Sequence, residues 1–362
     1  MNKSNLLYDY INFNSLFFTK RLSTTKNLFI KWTKWEISTF TLLNYINLFA
    51  SRTYHDTNQY PVFPWIITNY KSKDIPNLSL DNIPDNINRS DYTPEIRPLG
   101  TPMGMIGIND ESKDRKENYL INFESPDEKN PDDNFDRYGS HYSTGLHLTY
   151  YLVRVFPFSY LRIEIQGKNF DDPNRLFNNL SNSFDCAISQ KSDLRELIPE
   201  FFCFPEMFYN INDLNLGEIF DDKIKKNILV NNITMPPWSN NDAYIFVKYH
   251  REMLESVEIS EKIHEWFNII FGSKQKGKAA KKIHNLFNAQ TYDEFDEEHK
   301  KANETEKIYQ NRMVEFGVTP SQVFKGDVDK RIPVKNLRKR PILYEFNIRK
   351  ETKEKTQNIF SD

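Results

Sequence analysis

Three short stretches set prolines inside runs of large apolar side chains, and they limit the fold more than any other feature. The first is Gln59-Tyr60-Pro61-Val62-Phe63-Pro64-Trp65-Ile66-Ile67. The second runs Leu197-Ile198-Pro199-Glu200-Phe201-Phe202 and on to Pro205-Glu206. The third is Pro236-Pro237-Trp238. Proline locks φ, removes an amide donor and drives the residue before it into an extended conformation. Helix is forbidden there, yet side chains of this size belong inside. The chain must therefore bury extended backbone, and each buried amide and carbonyl needs a partner. Few segments alternate with period two, so no large sheet is expected to supply those partners.

Helical patterns flank these pieces. Ile37, Phe40, Leu43, Ile46 and Phe49 form a stripe behind a Ser38 or Thr39 cap. Leu146, Leu148, Tyr151, Leu152 and Val155 predict a helix ending before Pro157. Asp172-Pro173 reads as a cap followed by proline at the first helical position, with Leu176, Phe177, Leu180 and Phe184 as the apolar face. Further helices are expected at about 110–123, 242–256, 260–271, 277–288 and 304–316, with Gly272 and Gly317 as C-terminal glycines. The tract 125–136 is acidic and expected to be exposed. The expected fold class is mainly α: helices around a core of irregular extended segments, with little regular sheet.

Composition narrows the function classes. Basic residues number 48 against 50 acidic, so no whole-chain positive field favours nucleic acid. Two cysteines, Cys186 and Cys203, are too few for a disulfide framework or a structural zinc site, and both are expected to be buried free thiols. The first 27 residues lack the pattern of a secretory signal. The longest uncharged stretch near the start, Ile37 to Ser51, is too short and too polar for a membrane span. A cytoplasmic protein without cofactor or metal is expected.

Candidate catalytic motifs fall short. Gly272-Ser273-Lys274-Gln275-Lys276-Gly277-Lys278 matches a phosphate-binding loop up to its last position, where Ala279 replaces the magnesium-binding hydroxyl. It also follows a predicted helix and not a strand, so solvated lysines in a turn are the simpler reading. His141-Tyr142-Ser143-Thr144-Gly145 has a histidine where a nucleophile elbow needs glycine. His264-Glu265 begins a zinc motif whose fifth position is Asn268. A hydrolase or nucleotide-binding enzyme using Ser143 and His141, or the Gly272–Lys278 loop, is the alternative to a non-enzymatic interaction domain.

The ordered set of motifs resembles the BEACH domain family. It starts at Trp32 and Ile37 and passes Asn47-Leu48-Phe49-Ala50-Ser51-Arg52-Thr53-Tyr54-His55-Asp56. It includes Gln59 to Trp65, Thr101-Pro102-Met103-Gly104, Tyr138-Gly139-Ser140-His141-Tyr142-Ser143 and Tyr151-Leu152-Val153-Arg154-Val155-Phe156-Pro157-Phe158. Gln166 to Phe177, Glu196 to Glu206, Pro236 to Trp238, His250 to Ser256, Trp266 to Gly277 and Phe316 to Phe324 complete it. The motif core comprises Arg52, Tyr60, Pro61, Phe63, Pro64, Trp65, Gly139, His141, Tyr142, Ser143, Pro199, Glu200, Phe201, Pro205, Glu206, Pro237, Trp238 and Trp266. One departure concerns the backbone: Ser51 stands where the family often has glycine.

The resemblance implies a domain over 28–325, an N-terminal extension over 1–27 and a basic, flexible tail over 326–362. Neither flank is long enough for the PH-like domain and WD40 repeats that family members usually carry, so a fragment or a stripped-down member is expected. It also implies a non-enzymatic scaffold in membrane traffic, touching vesicle fusion or fission, lysosomes or autophagy. Trafficking proteins, and a PH-like domain in trans, are the expected partners, with the chain peripheral to membranes. Arg338-Lys339-Arg340 in the tail is a candidate contact for anionic lipid.

Overall fold

The computed structural model describes residues 27–76, 95–106, 138, 140–190, 193–221, 225–287, 291–292 and 316–333. Residues 27–33 are helical, and further α-helices are labelled α1 (Thr39–Phe49), α2 (Gly145–Tyr151), α3 (Phe158–Ile165), α4 (Leu180–Ser189), α5 (Ala243–Leu254), α6 (Val257–Ile270) and α7 (Gly277–Lys282). Short 3-10 turns mark the proline motifs at Pro199–Phe202, Pro205–Phe208 and Pro237–Ser239. Among the described residues the sheet is one antiparallel hairpin, β1 (Glu218–Asp221) with β2 (Lys226–Leu229), in register Ile219 opposite Ile228. The mainly α class with irregular buried segments is as expected. The expected helices at 110–123 and 304–315, the acidic tract, the N-terminal extension, Gly139 and Arg338-Lys339-Arg340 lie outside the described residues.

Local chemistry sets the helix ends. Ser38 caps α1 by accepting from the Thr41 amide at 3.1 Å, while the Glu255 carboxylate, from the α5–α6 junction, accepts from Thr39 and Phe40 at 2.7 and 2.9 Å. Asp242 caps α5 and Ser256 caps α6, which places the start of α6 at Val257, three residues ahead of expectation. Several other expectations are corrected. Asp172 caps only a single 3-10 turn, and Asn179 caps α4, so Leu176 and Phe177 pack inward ahead of the helix. α7 stops at Lys282, and His284 takes a left-handed φ of 57°. Gly272 has no positive φ; its lack of a side chain matters because a Cβ would lie 2.9 Å from the Asn268 Cα. Cys186 is half-buried and Cys203 is exposed.

The core is aromatic. Trp65 meets Tyr70, Phe184 and Phe201, and Phe201 meets Tyr151, Phe177 and Phe208, with centroids 4.8–6.2 Å apart. The extended segment from Tyr60 to Ile67 runs fully buried through it. Its backbone pairs with other chain segments only at isolated bridges, Phe63 with Leu197 and Ile67 with Ile96. Side chains supply the other partners. Asn47 takes both polar groups of Val62, accepting its amide at 2.8 Å and donating to its carbonyl at 2.9 Å. Arg52 donates to the Tyr60 carbonyl at 2.8 Å, and the Glu196 carboxylate accepts the Trp65 amide at 3.1 Å.

Ser51, directly before Arg52, has φ 65°. A non-glycine residue in this region carries about 1–2 kcal/mol of strain. Its side chain is exposed and accepts only a 3.3 Å hydrogen bond from the Ser321 hydroxyl, which offsets the strain little. Ser51→Gly is expected to stabilise the chain by about 0.5–1 kcal/mol once glycine's greater unfolded-state freedom is subtracted. Urea denaturation reads this as a raised midpoint at constant slope; a lowered midpoint contradicts the backbone geometry.

Candidate interaction surface

The motif residues converge on one buried carboxylate. Glu196, 3 % exposed, accepts from Arg97 Nη1 at 2.7 Å on both oxygens, from Trp266 Nε1 at 3.0 Å and from the Trp65 amide at 3.1 Å. Its own amide donates to the Tyr142 carbonyl at 2.9 Å, and its carbonyl accepts the Tyr151 hydroxyl at 3.2 Å. One residue thus ties α2, α6, the 95–106 segment and the Tyr60–Ile67 segment together. Beside it lies a cavity of about 10 Å³ lined by Met103, Gly104, Tyr138, Tyr142, Glu196 and Phe287 among others. That is about the room one water needs. A Cβ on Gly104 would sit 2.2 Å from the Tyr138 ring, which explains the glycine of the Thr-Pro-Met-Gly motif.

Most of the motif residues are structural. Pro61, Phe63, Pro64, Trp65, Tyr142, Ser143, Pro199, Phe201, Trp238 and Trp266 are buried. Glu200, Pro205 and Glu206 are half-buried, and Pro237 is exposed at the first position of its 3-10 turn. Tyr60 donates to the Glu200 carboxylate at 2.5 Å, and burial raises the pKa of both groups. Glu206 accepts from Tyr244 at 3.1 Å. Arg52 also donates to the Val318 carbonyl, joining the first motif to the last.

The catalytic near-misses resolve into packing. His141 hydrogen-bonds through Nε2 to Thr319 Oγ1 at 3.1 Å, stacks on Phe287 at 3.8 Å, and is held neutral by burial; its Nδ1 has no partner among the described residues. Among the described residues His141 and Ser143 share no hydrogen bond. The Gly272–Lys278 loop follows α6, and the amides of Lys274 and Gln275 already donate to the carbonyls of Asn268 and Gly272, so they cannot cradle a phosphate. Among the described residues no three His, Cys, Asp or Glu side chains gather as a metal site requires, and no helix is long and apolar enough to cross a membrane.

The outer surface carries one inverted helix. α3 turns Ser159 and Arg162 inward and presents Tyr160, Leu161 and Ile165 outward at 61, 38 and 42 % exposure. Phe156, just before it, stacks on Tyr160 at 4.9 Å. Phe158 leads from there to Tyr60 and exposed Tyr54 through ring contacts of 6.4 and 5.5 Å. An amphipathic helix normally buries its apolar side. Here the inner side is polar because Arg162 serves the Leu146 carbonyl and faces Asp171.

Sequence reasoning missed Arg97 and Arg331. Arg331 falls within the span assigned to the flexible tail, yet it is buried. Its guanidinium donates to the carbonyls of Trp32 and Ile37 and to the hydroxyls of Thr39 and Ser260, and it covers the Trp35 ring at 3.7 Å. The packed domain therefore continues past 325: Arg331 is buried, donates to the Ile37 carbonyl and shares the Trp32 carbonyl with the Trp35 amide. No local pattern marks either arginine; their partners are distant in sequence.

These features define a helical domain whose proline and aromatic motifs build a core. A family model described as the Beige/BEACH domain matches residues 30–331. Beige protein homolog 1 of Saccharomyces cerevisiae is 37 % identical over 302 residues, covering 81 % of this chain and 13 % of the relative. Beige protein homolog 1 of Schizosaccharomyces pombe is 34 % identical over 91 % of the chain and 12 % of the relative. BEACH domain-containing protein A2 of Arabidopsis thaliana is 36 % identical over 88 % of the chain and 9 % of the relative. The chain belongs to the BEACH domain family, and it spans about a tenth of the length of these curated relatives.

His250 gives a pH prediction. It is fully buried, stacked on Phe202 at 4.3 Å and Phe246 at 4.9 Å, with Nδ1 3.1 Å from the Phe201 carbonyl. Burial lowers its pKa to about 4. Below about pH 6.5 the unfolded chain binds a proton that the folded chain refuses, so stability falls as pH falls from 6.5 toward 4. The loss from this residue reaches about 3 kcal/mol at the acid end. His250→Phe, which keeps the stacking, is expected to flatten the stability–pH slope in this window by about one proton. An unchanged slope contradicts the assignment.

Proposed function

We propose that the chain is a non-enzymatic scaffold of membrane traffic that binds other proteins at the cytosolic face of membranes. The observation that carries this reading is the outward apolar face of α3 with Phe156, on a fold whose polar motif residues are consumed in holding the core. Contiguous exposed apolar side chains of this size mark protein contact sites, and membership of the BEACH family favours trafficking proteins as the partners. A PH-like domain, the usual companion of BEACH, is a fitting occupant for an apolar face of this kind. The spent amides of the Gly272–Lys278 loop and the Thr319-bound His141 speak against a nucleotide-binding or hydrolytic enzyme.

The test is proximity labelling in cells with the tagged chain, beside the variant Tyr160→Asp/Leu161→Asp. Both side chains are exposed, so the variant should keep its fold within about 0.5 kcal/mol. The parent is expected to label vesicle and endolysosomal trafficking proteins, and the variant to lose most of them. A labelled set that lacks trafficking proteins, or one that the variant leaves intact, contradicts the proposal.

A further inference from the structure

The failed phosphate loop carries a basic surface. Lys274, Lys276, Lys278, Lys281 and Lys282 fall within nine residues that contain no acid, in a chain whose net charge is −2. The structure fixes where this charge points. Gln275, 2 % exposed, anchors the loop from below by donating to the carbonyls of Ile270 and Pro320 at 2.5 and 2.8 Å. Asn285 donates to the Lys274 carbonyl at 3.0 Å from the far side of α7. Ala280 is the buried face of α7. Lys278, Lys281 and Lys282 stand at i, i+3 and i+4, so they share an arc of about 100° opposite Ala280, and all three are exposed.

Asp327, the acid that this loop engages, accepts the Ser273 hydroxyl. Among the described residues no ion pair engages Lys278, Lys281 or Lys282. At His264 on α6, Glu265 acts against Lys330 and Lys274, so the lysine face is that of α7.

We infer that this lysine face is a docking surface for an anionic lipid bilayer. A bilayer fits better than an acidic peptide. The three lysines lie exposed along one face of a short helix whose opposite face, at Ala280, is buried. A flat, diffuse negative surface needs only aligned point charges, which lysine supplies. The inference rests on the membrane-peripheral part of the proposed function, and it adds the lipid class and the contact residues.

The experiment is flotation of the full chain with phosphatidylcholine vesicles, with and without phosphatidylserine, at low and physiological salt. The variant Lys278→Glu/Lys281→Glu/Lys282→Glu is compared with Arg338→Gln/Lys339→Gln/Arg340→Gln, and circular dichroism checks that each retains its fold. A lysine near an anionic leaflet contributes about five-fold in binding, so the α7 variant is expected to bind serine-containing vesicles on the order of 100-fold more weakly. The tail variant is expected to keep most of the binding, and salt to weaken the parent. Parent binding that ignores phosphatidylserine, or an α7 variant within two-fold of the parent, overturns the inference. So does binding of the parent to poly-glutamate but not to vesicles, which assigns the surface to an acidic protein. Vesicle binding is read without cellular partners, so its failure leaves the labelling result of the proposed function standing, and the reverse also holds.

Discussion

The ion pair between Arg97 and Glu196 is the contact on which the remaining structure depends. Both side chains are 1 % exposed, and the carboxylate is shared with an indole N–H and a main-chain amide. Bringing two charges out of water is costly, and their mutual attraction offsets that cost only when the remaining hydrogen-bonding positions are filled. On the carboxylate they are filled by Trp65 and Trp266, two of the largest side chains in the core, while Arg97 Nε has no partner among the described residues. The pair therefore fixes where the proline-rich segment lies against α6, and the aromatic rings pack around that fixed point.

The same device recurs. Arg52, Arg154 and Arg331 are each buried and donate to main-chain carbonyls of irregular segments, Tyr60 and Val318, Asn231 and Phe177, and Ile37, and in Arg331's case also to the helical Trp32 carbonyl. A guanidinium offers five donors in a fixed fork, enough to serve two or three carbonyls pointing in different directions. A sheet would satisfy such groups by repetition. This fold does it residue by residue, and its motifs are accordingly dense and scattered along the chain. Burial lowers the pKa of Arg154 and Arg331 only to about 10, so both remain cationic at neutral pH.

Much of this was legible in the sequence. Prolines among aromatics required buried extended backbone, and the motif order carried the family. What could not be read was which side chain meets which carbonyl. Arg97 stands in an unremarkable Ile96-Arg97-Pro98, and Arg331 reaches Trp32 across 299 positions. The inversion of α3 was hidden for a related reason: Leu161 and Ile165 have the spacing of a core face, and only the demand of the Leu146 carbonyl turns Arg162 inward instead. Ser51 was the reverse case: the sequence drew attention to its backbone, because the family often has glycine there, but only the structure shows the left-handed φ of 65°.

The double-mutant cycle of Arg97→Met and Glu196→Gln, read by chemical denaturation of the full chain, tests the central role of the ion pair most directly. Each single change should cost about 3–5 kcal/mol, because each leaves a buried group without its partner. The double variant should cost far less than their sum, with a coupling of at least about 2 kcal/mol. Additive losses, or single losses near 1 kcal/mol typical of an isolated hydrogen bond, would show that the pair is one contact among many and that the aromatic packing stands without it.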